Sequence, residues 1–98
     1  MTPRLFVRDE AAADIASGAR WYDEQRTGLG SEYTRAIRAQ LAAIERDPRL
    51  FPAVRGDVRR AIVRRFPYAI YFTLAGDEVI VFACLHQRRD PQVWQSRG

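Results

Sequence analysis

Phe66-Pro67-Tyr68-Ala69-Ile70-Tyr71-Phe72-Thr73-Leu74-Ala75-Gly76-Asp77-Glu78-Val79-Ile80-Val81-Phe82-Ala83-Cys84-Leu85-His86 decides the fold. Two apolar runs, Ala69–Leu74 and Val79–Leu85, flank Ala75-Gly76-Asp77-Glu78, which reads as a hairpin turn. Runs apolar on both faces belong deep in a sheet. Strict alternation along Val79–His86 puts Ile80, Phe82, Cys84 and His86 on one face, with Val81, Ala83 and Leu85 on the other. His86 then closes an apolar column, and Gln87-Arg88-Arg89-Asp90-Pro91 and Trp94 come after it. Polar groups at the end of a buried strand sit on a rigid edge, where small proteins place their acting surfaces.

Upstream, Val58–Arg65 suits a strand at the sheet margin, with Arg59, Arg60, Arg64 and Arg65 around Ala61-Ile62-Val63. Leu50-Phe51-Pro52 is a loop that tucks an aromatic ring under the sheet. Before it, Tyr33, Ala36, Ile37, Leu41 and Ile44 keep one helical face apolar. Ser31 is the expected N-cap of that helix, and Asp47-Pro48 ends it, because proline pushes the preceding residue out of the helical region. An earlier helix opens with Asp9 and Glu10, whose carboxylates suit the positive end of a helix dipole. It carries Ala12, Ile15, Ala19 and Tyr22 on one stripe, with Gly18 and Trp21 off it, and Leu5-Phe6-Val7 precedes it as a short strand. Trp21 is expected to pack between the helices. The fold expected over residues 1–98 is one α+β domain of order β-α-α-β-β-β. A two-helix hairpin packs on one face of a mainly antiparallel four-stranded sheet.

Composition narrows the function. With 47% hydrophobic and 29% charged residues, 98 residues can fold as an ordinary globular domain. The single cysteine, Cys84, lies in an apolar run and suits a reducing cytoplasm. No N-terminal signal is evident, and no apolar stretch approaches the roughly 20 residues of a membrane span. All sixteen basic residues are arginine, and the net charge is +4. Guanidinium forks suit phosphate and carboxylate, so the expected partner is acidic.

The candidate acting surface combines Arg59, Arg60, Arg64, Arg65, Arg88 and Arg89 with Tyr68, Tyr71 and Trp94. Arginines interleaved with aromatics are what single-stranded nucleic acid recognition uses. The plain alternative pairs Arg59 or Arg60 with Asp57, Asp77 or Asp90 to solvate a sheet edge. His86 could transfer a proton, or only fix the tail by bonding backbone. One histidine and one apolar-run cysteine do not make a metal set, and no cofactor is expected. Trp21 and Tyr22 are candidate partner contacts.

Trp21-Tyr22-Asp23-Glu24-Gln25 with Gly28-Leu29-Gly30, Phe66-Pro67-Tyr68-Ala69-Ile70-Tyr71, and Leu85-His86-Gln87-Arg88-Arg89-Asp90-Pro91 with Trp94 together resemble the RelE/ParE family of bacterial toxins. The resemblance implies the toxin half of a type II toxin–antitoxin pair of the plasmid-stabilization kind, masked in a hetero-oligomer by an acidic antitoxin. RelE-like members are ribosome-dependent mRNA interferases. In that branch Arg65, His86 and Arg89 would be the catalytic residues. Two positions depart from it: Tyr68 stands where an arginine is common, and Trp94 where a tyrosine is common. An indole stacks on a base but exchanges no proton. ParE-like members are linked to DNA gyrase inhibition, and Leu85-His86-Gln87-Arg88-Arg89-Asp90 is similar to their pattern. The resemblance therefore leans to the ParE-like branch, with enzymatic activity left open.

Overall fold

The computed structural model describes residues 3–97. A strand β1 (Arg4–Val7) leads into helices α1 (Asp9–Gln25) and α2 (Leu29–Arg46). Strands β2 (Ala53–Arg55), β3 (Val58–Ile62), β4 (Tyr68–Ala75) and β5 (Glu78–His86) come next, and a short helix α3 (Gln92–Gln95) closes the described chain. The sheet has order β1-β5-β4-β3-β2. β1 runs parallel to β5, and every other pairing is antiparallel. The class is the expected α+β, but with five strands rather than four. The added strand, Ala53–Arg55, is only three residues long, below the length at which alternation reads as a pattern. It moves β3 one place in from the margin.

The two apolar runs are the central pair, as their composition requires. β4 ends at Ala75 and β5 begins at Glu78, so Gly76-Asp77 makes the turn, with Gly76 at φ 62°. Helices cover one face of the sheet. Tyr33, Ile37 and Ile44 of α2 are buried there with Ile70, Phe72, Val79 and Val81. Phe51 reaches the same core against Phe72.

Ile15, Ala19 and Tyr22 of α1 pack on this core as expected, but Ala12 is exposed, and Ala11 and Gly18 are buried instead. Gly18 is the seat of Tyr33, since a methyl group there would lie 2.5 Å from the Tyr33 hydroxyl. Ser31 does not cap α2. The helix starts three residues earlier, at Leu29 behind Gly28 at φ 92°. The Asp23 carboxylate of α1 accepts the Gly28 and Gly30 N–H groups, at 3.2 and 2.8 Å. One helix thus caps the other, satisfying donors that have no intrahelical acceptor.

The opposite face of the sheet has its own smaller core, where Trp94 of α3 stacks on Tyr71 at 4.6 Å and 15°.

Candidate functional site

The end of β5 does not alternate. Tyr71 pairs with Ala83 and Phe72 with Val81, so Phe82 is an extra residue without a partner in β4. Phe82 and Ala83 both join the core under α3, and Cys84 returns to the helix side with Val79 and Val81. The expected grouping of Ile80 and Phe82 with Cys84 and His86 is therefore corrected. A bulge shifts parity by one residue and re-aims every side chain beyond it. Here it turns His86 toward α1.

Toward α1, His86 enters a cleft of about 170 Å³ lined by Asp14, Ser17, Gly18, Trp21, Tyr68, Cys84, Leu85 and Arg89. Asp14, Ser17, Gly18 and Trp21 stand at i, i+3, i+4 and i+7 on α1, so they share one helical face. That spacing is visible in the sequence, yet Asp14 and Ser17 lie outside the expected site. Trp21 is 53% exposed and walls the cleft instead of packing between the helices. Tyr22 points inward, with its ring 4.9 Å from Phe66 and 5.2 Å from Tyr33.

Tyr68 forms the inner wall, 5.5 Å ring to ring from His86 and 5.0 Å from Tyr33. Burial pushes the Tyr68 phenol above its ordinary pKa; Tyr22, Cys84 and Asp14 add to the rise, and the Arg89 charge opposes it. It is a proton donor at neutral pH. His86 Nδ1 accepts the Arg88 backbone N–H at 3.0 Å, which leaves Nε2 to carry the ring proton of the neutral form. Arg89 brings the guanidinium. The cleft can hold an anionic group, and a phenol and an imidazole adjoin it.

The floor is held by an ion pair. β1 stops at Val7, with the Arg8 N–H on the Val81 carbonyl, so the edge of β5 beyond it has no neighbouring strand. Asp14 accepts the Cys84 N–H at 3.0 Å, and Arg97 donates to the Phe82 carbonyl at 3.3 Å and to Asp14 at 2.6 Å. Two side chains do there what a longer β1 would otherwise do.

The remaining arginines do not border one surface. Arg59 pairs with Phe72 on the helix side and donates to the carbonyls of Phe51 and Arg49, at 2.6 and 3.4 Å. Arg60 is exposed and pairs with Tyr71, whose ring is on the opposite face of the sheet. Neither pairs with Asp57, Asp77 or Asp90 among the described residues. Arg64 is exposed in the β3–β4 connection. Arg65, at φ 76°, bonds Glu32 at 2.5 Å and lies over the Phe66 ring, in a separate recess with Arg35. The Arg65 hydrogen bond holds the Glu32 carboxyl below its ordinary range. Arg88 is exposed beside the cleft. Of the candidate set, the structure gathers Tyr68, His86, Arg89 and Trp21, and leaves Arg59, Arg60, Arg65 and Trp94 elsewhere. No cluster of His, Cys, Asp and Glu among the described residues could hold a metal ion.

The family model for the ParE toxin of type II toxin–antitoxin system, parDE, matches residues 5–91, from β1 to the loop after β5. The chain belongs to the ParE toxin family. Solved structures with a similar fold include the following two. A chain of the chromosomal ParDE TA system from P. aeruginosa superposes with a TM-score of 0.78 at 18% identity, covering 87% of this chain and 96% of that one. The isolated E. coli RelE toxin superposes at 0.65 and 16% identity, covering 96% and 94%. No curated relative matches the sequence.

Proposed function

We propose that this chain arrests growth as the toxin of a toxin–antitoxin pair, acts on DNA gyrase in the cytoplasm, and is silenced in a hetero-oligomer with an acidic antitoxin. The observation that carries the choice of target is the separation of Arg65 from His86 and Arg89. Phosphodiester cleavage needs several positive groups around one developing charge. Arg65 is instead engaged by Glu32 in another recess, and Trp94, where a proton-exchanging tyrosine would serve a nuclease, is stacked beneath the sheet. The similarity of Leu85–Asp90 to the ParE-like pattern supports the same reading. No described helix is long and apolar enough to cross a membrane.

The competing reading is a ribosome-dependent endonuclease, favoured by the shared cleft of Tyr68, His86 and Arg89. The purified chain separates the two in a gyrase supercoiling assay run beside primer extension on translating ribosomes. The expected result is slowed supercoiling with intact message. Codon-specific cleavage that vanishes in Arg89→Ala would reverse the assignment. Undisturbed growth on expression without a partner would reduce the chain to an antitoxin-binding module.

A further inference from the structure

Charge is divided unevenly along this chain. Residues 46–65 hold seven arginines against Asp47 and Asp57, a net +5, while the whole chain is +4. The other 78 residues are therefore net acidic by one charge.

That basic stretch forms the edge of the sheet away from the cleft. β2 pairs with β3 only at Val58 and Arg59, and beyond them the Pro52 carbonyl accepts the Arg60 N–H at 3.1 Å. The Arg59 guanidinium, on the Arg49 and Phe51 carbonyls, ties the segment after α2 to the same rim. Gln40 of α2 donates to the Ile62 carbonyl at 2.9 Å. Arg46, Arg49, Arg55, Arg60 and Arg64 are exposed on these tied segments, and none has an ion-pair partner among the described residues. Arg59 and Arg65, the other two, are engaged by the carbonyls and by Glu32.

The backbone of this rim is closed to a further strand. Val63 N–H donates to the Tyr68 carbonyl at 2.9 Å, in register with the pairs Ala61–Ile70 and Arg59–Phe72. The intervening residues, Arg60 and Ile62, therefore turn their backbone groups outward. Of those groups, Pro52 occupies the Arg60 N–H and Gln40 the Ile62 carbonyl. An extended peptide would find half of its pairing groups taken. What the rim offers is charge, in guanidinium forks that each match a phosphate. The partner that fits carries closely repeated negative charge and needs no main-chain pairing. Double-stranded DNA carries one such charge per about 1.7 Å of its axis.

We propose that the rim formed by the end of α2, β2 and β3 binds the phosphate backbone of duplex DNA without reading its sequence, through Arg46, Arg49, Arg55, Arg60 and Arg64. The proposal depends neither on the antitoxin nor on the choice between gyrase and ribosome.

The test titrates the purified full chain into a fluorescently labelled DNA duplex and follows anisotropy as salt rises. Five phosphate contacts give a slope of about −4.5 in log K against log salt. Affinity should then fall several-hundred-fold between about 50 and 200 mM salt. Combining Arg49→Ala, Arg60→Ala and Arg64→Ala should bring the slope to about −2, with circular dichroism unchanged. Arg4→Ala, on β1 at the other edge of the sheet, should leave the slope as it was. Absence of binding at about 50 mM salt, or a slope indifferent to the triple variant, overturns the proposal and leaves the toxin reading standing. Displacement of the duplex by polyglutamate at equal charge overturns it in favour of an acidic protein, one that also meets the exposed Leu50 and Ile62. Tighter binding of single-stranded RNA than of the duplex overturns it in favour of RNA.

Discussion

Arg97 grips Asp14 across 83 residues of chain, with Nη1 2.6 Å from one carboxylate oxygen and Nη2 3.2 Å from the other. The pair is mostly shielded from water, with side-chain exposures of 22% and 13%. It fastens the C-terminal segment to α1 at the point where β5 has lost its parallel neighbour. Its hydrogen bond and the Asp14 charge raise the Arg97 pKa further, against a smaller effect of burial.

Removing either partner should therefore destabilise the fold. Arg97→Ala strands a shielded carboxylate, and Asp14→Ala strands both the guanidinium and the Cys84 N–H. Each should cost about 1.5–3 kcal/mol in urea unfolding. The double variant should cost clearly less than the two added together, because the second change removes a group the first left unmatched. Additive losses would show that the two side chains act independently.

Gly30 tests the helix crossing. A methyl group there would strike the Ala19 carbonyl oxygen and the Asp23 carboxylate that caps α2. Gly30→Ala gains about 1 kcal/mol of helix propensity. Overpacking against backbone should outweigh that gain, for a net loss of about 1–2 kcal/mol in thermal or urea unfolding. A stabilised variant would mean that the helices can separate without penalty.

Alkaline stability should track Cys84. Burial pushes its thiol up to about 12, despite an opposing hydrogen bond with Tyr33. An unfolded thiol ionises near about 8.5. The folded chain therefore holds more protons across this window. Its contribution is complete below about pH 8.5 and drains away as pH rises toward 12, by up to about 1.4 kcal/mol per pH unit. Tyr33, also raised by burial, adds to the decline from about pH 10. Cys84→Ala should flatten the stability profile between about pH 9 and 10, measured by urea midpoints. The native thiol should also resist alkylation at pH 8 until the chain unfolds.

On the acid side, Glu32 carries the opposite sign. Its carboxyl is held low by Arg65 first, then by the charges of Arg65, Arg26 and Arg35. That contribution is present above the ordinary glutamate range and is lost as pH falls through the lower folded value. Glu32→Gln should remove this acid-limb loss from the stability profile and leave the neutral-pH fold intact by circular dichroism. An unchanged acid limb would place the loss on other carboxylates.

Arg59 and Arg89 should separate stability from action. Arg59 holds the Phe51 carbonyl on the helix side of the sheet, so Arg59→Ala should cost about 1.5–3 kcal/mol and still arrest growth at permissive temperature. Arg89 is exposed at the cleft mouth, so Arg89→Ala should keep its melting temperature and weaken growth arrest. A reversed pattern in paired melting and plating experiments would move the acting surface to the Arg59 side.

Much of this architecture is legible in the residues themselves. Tyr33, Ile37 and Ile44 repeat long enough to identify α2, and Gly76-Asp77 between two apolar runs could only be a tight turn. The acting surface is harder to read, for two physical reasons. Arg59 and Arg60 are neighbours in the chain, and the pleat of a strand sends neighbours to opposite faces. The extra residue Phe82 is apolar among apolar residues, so no change of composition marks the place where alternation slips. Asp14 escapes a reading by pattern because its value depends on where β1 ends, and strand ends leave a weak trace in sequence. Family resemblance locates the tail at His86 and Arg89 but does not say which side of the sheet receives it.

That slip at Phe82 carries a lesson for comparing kindred chains. A single insertion or deletion between Val81 and Cys84 acts as a parity bit for everything downstream. Two relatives could spell the same histidine and arginine after their last strand and still deliver them to separate compartments of the molecule. Matching letters beyond that point imply matching chemistry only when the count of residues before them matches too.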